Sequence, residues 1–266
     1  MRALAIVLVT LVMTGSAVAA EQVLLYAAGS LRGALNEVAK AFEAATGNTV
    51  QAKYGASGLL KDEIVAGAKT DVFASANMDH PQALAAAKKS GPVVLFARNQ
   101  LCALVRPGLM VTSATLLDRM LDGKVKLGTS TPLADPSGDY AFEVFRRAEK
   151  IKPGVQAALE KKALKLTGGP SSMAPPAGRS VYGWHVAEGR ADIFLTYCTG
   201  AVVARTENPG QQIVALPARL AVGADYGLTV MSSASAVATQ FALFILSPEG
   251  QRILANHGFA APGLPQ

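Results

Sequence analysis

The chain has 266 residues, of which 50 % are hydrophobic, 17 % charged and 6 % aromatic, with 25 Lys and Arg against 19 Asp and Glu. That length suits one large domain or two modest ones. The basic excess is mild and scattered, and without basic–aromatic interleaving it argues against a nucleic-acid surface while favouring the approach of a small anion.

Residues Met1 to Ala20 combine one positive charge, Arg2, with an apolar core from Leu4 to Met13 and a small-residue end, Ala17-Val18-Ala19-Ala20. This is the pattern of a secretory signal peptide, with cleavage expected after Ala20 and a soluble, periplasmic product. No Cys follows that site, so a lipid anchor is not expected, and no later apolar run reaches the roughly 18 residues of a membrane span. The mature chain of 246 residues (266 minus 20) keeps a net charge of +5, from 24 Lys and Arg against 19 Asp and Glu.

The mature chain opens with Val23 to Leu31, V-L-L-Y-A-A-G-S-L. Val23 to Tyr26 reads as a short buried strand, and the small-residue turn Ala27-Ala28-Gly29 delivers Ser30 as the N-cap of a helix over Leu31 to Ala45. The first N–H groups of a helix lack intrahelical partners and sit at the positive end of its dipole, so such a place can hold an anion. One serine there is explained by capping its own helix. The arrangement recurs, however. Strand Thr49 to Tyr54 leads through Gly55-Ala56 to Ser57-Gly58 at the head of the helix Leu59 to Ala66, and strand Val125 to Gly128 leads through Asp135-Pro136-Ser137-Gly138 into the helix Tyr140 to Lys150. Three serines at three such helix starts would form a nest of donors if the helices converge.

Between and beyond these units the alternation continues. Thr70 to Ala76 is a strand and His80 to Lys89 a helix; Val93 to Ala97 and Leu101 to Arg106 are strands separated by the polar Arg98-Asn99-Gln100. Helices follow at Ser113 to Leu121, Val155 to Lys162 and Ser180 to Glu188, with strands at Leu164 to Thr167 and Asp192 to Cys198 and a Gly- and Pro-rich loop from Gly168 to Arg179. Strands Ile213 to Leu216 and Tyr226 to Met231 and helices Ala234 to Leu246 and Pro248 to His257 complete the chain. Strand–helix alternation implies an α/β fold with mainly parallel sheets covered by helices. Placing crossings at Arg98-Asn99-Gln100 and near Ala224 to Gly227 gives two lobes, 21–97 with 226–266 and 98–225, and a ligand cleft between them. Cys102 and Cys198 lie in apolar strand-like runs, where either a disulfide or two packed thiols would fit.

Enzyme signatures are lacking. Ser57 lies in G-A-S-G and not in the G-x-S-x-G of a nucleophile elbow, and His80, His185 and His257 fall in predicted helices. There is no phosphate-loop lysine motif, no paired metal carboxylates, and no His spaced with the cysteines for zinc. A secreted serine hydrolase acting through Ser57 is therefore the lesser reading, and catalytic residues, metal and cofactor are expected to be absent.

Five stretches resemble the periplasmic molybdate-binding proteins of ABC uptake systems: Y-A-A-G-S-L at Tyr26 to Leu31, the run from Tyr54 to Ala76, P-S-G-D-Y-A at Pro136 to Ala141, A-D-I-F-L-T-Y at Ala191 to Tyr197, and Ser247 to Phe259. The resemblance covers essentially the whole mature chain. It implies a two-lobed type II periplasmic-binding fold that holds one tetrahedral oxyanion, molybdate or tungstate, without metal or countercharge. Carried over by position, it implies hydroxyl donors at Ser30, Ser57 and Tyr197, a backbone amide donor at Ser137, and a further backbone donor near Arg179. The partners it implies are the small oxyanion and an inner-membrane ABC permease, with a monomeric protein and no nucleic acid. Sulfate, or a small organic acid held by the Arg179 guanidinium, is the alternative, because an Arg at that place would put a full charge on the ligand.

Overall fold

The computed structural model describes residues 20–263, and apart from Ala20 the expected signal peptide lies outside the described residues. These residues form nine strands: β1 Gln22–Ala28, β2 Thr49–Gly55, β3 Val72–Ser75, β4 Val94–Val105, β5 Leu127–Ser130, β6 Leu164–Thr167, β7 Ile193–Tyr197, β8 Gln212–Ala215 and β9 Gly223–Val230. They also form ten α-helices: α1 Arg32–Thr46, α2 Ser57–Val65, α3 Asp79–Ala86, α4 Leu116–Leu121, α5 Pro136–Glu149, α6 Val155–Lys162, α7 Val181–Ala187, α8 Cys198–Glu207, α9 Ala236–Leu246 and α10 Pro248–Asn256. No helix among the described residues is long and apolar enough to cross a membrane.

The strand order is β2-β1-β3-β9-β4-β7-β5-β6, with β8 added on β4. The pairs β1–β2, β1–β3, β5–β6 and β5–β7 are parallel, as short strands joined by crossover helices must be, whereas β9 and β4 run antiparallel to their neighbours. Each lobe thus has a parallel half-sheet, and β4 is the strand they share. Its first half, Val94 to Gln100, pairs with β9, and its second, Leu101 to Val105, pairs with β7 and β8.

The polar triplet Arg98-Asn99-Gln100 does not interrupt this strand, contrary to the sequence expectation. Arg98 and Gln100 point outward, Arg98 meeting Asp225 at 2.9 Å, while buried Asn99 donates to Thr199 Oγ1 at 2.8 Å. A buried polar side chain with a partner costs the strand little.

The covering helices are bound by apolar stripes. In α1 the buried residues Ala34, Leu35, Val38, Ala39 and Phe42 recur at helical spacing, and Phe42 packs edge-on against Phe241 and Phe244 of α9, centroids 5.1 and 5.6 Å apart. Gly47, at φ 75°, ends α1 in the left-handed conformation that glycine adopts without strain. A disulfide joins Cys102 in β4 to Cys198, the first residue of α8, which decides the question the two apolar runs leave open.

Candidate functional site

The first wall of the cleft is built by strand register. Ala28 pairs with Gly55 and Ala27 with Ala74, so the carboxyl ends of β1, β2 and β3 finish level with one another. Ser30 and Ser57 each lie two residues beyond their strand, where open parallel sheets bind ligands. Ser30 is not the helix N-cap that its position suggests: Ala28 caps a 3-10 turn, Gly29–Leu31, which runs directly into α1. Freed from capping, the Ser30 hydroxyl lies 3.0 Å from the Tyr226 hydroxyl. Ser57 is the first residue of α2, capped by Ala56, and its buried Oγ accepts from the Ala76 N–H at 3.1 Å, tying α2 to the end of β3.

The second wall is made by the carboxyl ends of β5 and β7. Ser130 ends β5, Tyr197 ends β7, and Asp135 opens α5, whose second residue is Ser137. The Asp135 carboxylate caps α5 by accepting from the Ser137 N–H at 3.0 Å. The Ser137 amide, which the resemblance offers to a ligand, is thereby committed inside the protein, and its hydroxyl is the group left over. Tyr182 of α7 faces Ser130, Ser137 and Thr196. The Oγ atoms of Ser130 and Ser137, Thr129 Oγ1, Thr196 Oγ1 and the Tyr197 hydroxyl are all buried without a hydrogen-bond partner. Such orphans are rare in folded proteins, and four at the ends of two neighbouring strands with a fifth at the head of α5 need an explanation.

Tyr226 of β9 joins the walls. Its hydroxyl lies 3.0 Å from Ser30 Oγ and accepts from Asn99 Nδ2 at 3.4 Å, and its ring is 5.7 Å from that of Tyr197. The lobes also meet directly at the head of α2, where the Gly58 N–H donates to the Ala134 carbonyl at 2.9 Å. A Cβ on Gly58 would lie 2.4 Å from the Leu133 carbonyl oxygen, so only glycine permits this approach. Beside the seam opens a cleft of about 470 Å³ lined by Asn77, Met78, Asp79, Tyr140, Gly223 and Asp225.

Electrostatically the site is a set of neutral donors with one partly buried acid. Burial holds the phenols of Tyr182, Tyr197 and Tyr226 well above their ordinary range, so all three keep their protons at any physiological pH. Burial also pushes the Asp135 carboxyl up to about 6, against the pull of its bond from the Ser137 N–H. No metal-binding group of three or more His, Cys, Asp or Glu side chains occurs among the described residues.

Arg179 stands elsewhere. Its guanidinium bonds Glu207 at 3.2 Å and Asn208 at 3.4 Å, at the far end of α8 from Tyr197, and its N–H donates to the Pro176 carbonyl. Ser180, its neighbour, caps α7. Two of the histidines lie in packing or pairing contacts: His185 is buried and stacked on Phe194, and His257 pairs with Glu37 at 2.9 Å. Sequence reasoning missed Asn99, Ser130, Tyr182 and Tyr226 and gave Asp135 only a turn role. Tyr226 alone carried a signal, since it opens the predicted strand that follows the second crossing.

A curated relative, an uncharacterized protein of Pasteurella multocida (strain Pm70), is 33% identical over 211 residues, 79% of this chain and 86% of its own. Among solved structures, the periplasmic molybdate-binding protein of Azotobacter vinelandii superposes with a TM-score of 0.72 at 23% identity, covering 92% of this chain and 100% of its own. The sulfate-binding protein SubI of Mycobacterium tuberculosis H37Rv gives 0.73 at 18% identity, covering 91% of this chain and 87% of its own. At these identities the two structures speak for the shared two-lobed type II periplasmic-binding fold alone. The family model that matches residues 23–260 is that of the bacterial extracellular solute-binding proteins, and to that family this chain belongs.

Proposed function

We propose that this protein captures a tetrahedral oxyanion, with molybdate or tungstate as the first candidates, and delivers it to an ABC permease from the periplasm. The observation that carries the reading is the group of buried, partnerless hydroxyls, Ser130, Ser137, Thr196 and Tyr197, of which Tyr197 lies with its ring 5.7 Å from that of Tyr226, the partner of Ser30. An oxyanion without protons offers only acceptors, so each hydroxyl that turns toward it gains a charge-assisted bond of about 1.5–3 kcal/mol. The reading needs no catalytic residue, metal or cofactor, and the commitment of Arg179 to Glu207 fits a site made of neutral donors.

The fold likeness to a molybdate-binding and a sulfate-binding protein supports an oxyanion without choosing between them. The cleft of about 470 Å³ beside the seam is edged by Asp79 and Asp225, whose charges would repel an anion, and none of the partnerless hydroxyls lines it. Calorimetric titration of the mature protein with molybdate, sulfate and phosphate separates the readings. Tight one-to-one binding of molybdate that neither control displaces is expected, and silence with all three would move the assignment to an organic anion.

A further inference from the structure

Asp135 is a carboxyl with no cation to answer it. Its Oδ1 accepts the Ser137 N–H, and its Oδ2 faces Gly168, whose positive φ of 78° brings the backbone so near that a Cβ there would stand 2.5 Å from Oδ2. The groups that face it from the elements packed around it are Asp139 on its own helix, Tyr182 from α7 and Tyr197 from the end of β7, with the uncharged Ser130 from β5. None is a cation. An anion held by the Ser130, Ser137 and Tyr197 hydroxyls would therefore lie near a partly buried carboxylate, where like charges repel more strongly than in water.

From this placement we infer that Asp135 is a specificity-determining residue that binds a proton whenever the site binds an anion. The inference rests on the oxyanion reading of the site. A partly buried carboxylate and a fully ionised dianion repel each other across one cluster of hydroxyls, and that repulsion is relieved when either the carboxyl takes up a proton or the anion brings one. A dianion such as molybdate brings none, so its binding draws one proton from solution onto Asp135. The protonated carboxyl then adds an O–H donor to a site of donors, in the way a neutral acid donates a bond where burial keeps it protonated. A hydrogen-bearing anion such as hydrogenphosphate would leave Asp135 ionised and use it as an acceptor.

The sign follows from linkage. The unliganded carboxyl titrates at about 6, and the bound anion, a like charge, raises it further. Affinity for the dianion is then level below about pH 6 and falls about tenfold per pH unit above it, until the pH reaches the raised value in the complex.

The test is calorimetric titration of the mature protein with molybdate at pH 7.5 in buffers of different ionisation enthalpy, repeated from pH 6 to 8.5. The expected result is uptake of close to one proton and the tenfold-per-unit fall, both abolished in Asp135→Asn, which keeps the N-cap. Asp135→Ser, also a good cap, guards against a folding defect in the Asn variant. Molybdate binding with no proton uptake and no pH dependence would overturn the inference while leaving the oxyanion reading intact. Failure to bind molybdate, tungstate or sulfate at any pH would overturn both.

Discussion

The two walls of the cleft use the same side chain in opposite ways. On the β1–β2 wall the serine hydroxyls are already engaged, Ser30 with Tyr226 and Ser57 with the Ala76 N–H. On the β5–β7 wall Ser130, Ser137, Thr196 and Tyr197 are buried and unpaired. The first wall is satisfied without a ligand, and the second needs one. A buried unpaired hydroxyl costs about 1–3 kcal/mol, so the second wall stores destabilisation that an anion relieves on arrival, whereas the first holds the shape against which it docks.

The largest expected effect tests whether the second wall depends on its anchor. The disulfide ties β4 to the start of α8, directly after Tyr197, and closes a loop of 96 residues. Replacing both Cys102 and Cys198 by Ser should cost about 4–5 kcal/mol, read as a lowered midpoint in denaturant titration. An unchanged midpoint would separate the wall's order from the cross-link.

Next is the seam where the walls meet. Gly58→Ala puts a Cβ 2.4 Å from the Leu133 carbonyl and should weaken anion affinity by about 10- to 100-fold by holding the lobes apart, the usual cost of overpacking being about 1–3 kcal/mol. Because the clash is with the other lobe, the thermal midpoint without ligand should move little. A full loss of stability would show that the contact serves folding.

Tyr197→Phe and Ser57→Ala then address the contrast itself. Tyr197→Phe removes an unpaired buried hydroxyl, so it should leave the unliganded protein as stable or about 1 kcal/mol more stable while weakening affinity about tenfold. Ser57→Ala strands the Ala76 N–H and should cost about 1–3 kcal/mol of stability. Paired melting curves and titrations check both, and equal stability losses would remove the distinction between the walls.

The smallest effect belongs to Arg179→Ala. Its half-exposed pair with Glu207 is worth less than about 1 kcal/mol, and affinity should change less than about twofold. A tenfold loss on titration would bring its guanidinium back into the site.

Much of the architecture was legible along the chain because it is written in short-range pattern. Apolar runs ended by small residues give β1 and β3, alternation of polar and apolar residues gives β2, and the helical spacing of apolar residues gives α1 and α5. Pattern also set Ser30, Ser57, Ser137 and Tyr197 at strand ends or helix starts. It misread the roles there. Ser30 looks like a cap because Ser is a good one, yet a 3-10 turn capped by Ala28 begins one residue earlier, at Gly29. Arg98-Asn99-Gln100 reads as a break because polar residues seldom continue a buried strand, yet Asn99 finds Thr199, exactly one hundred residues away.

Local sequence thus determined most of the order of strands and helices, though it missed α8 and split β4, and it set the hydroxyl side chains at the junctions, since both follow from periodicity and turn chemistry within a few residues. Only the tertiary structure decided which hydroxyls are spent and which are free, that the Ser137 amide belongs to Asp135, and that Tyr226 spans the two walls. A hydrogen bond is settled by geometry finer than an ångström between residues remote in the chain, and no spacing along a sequence carries that distance.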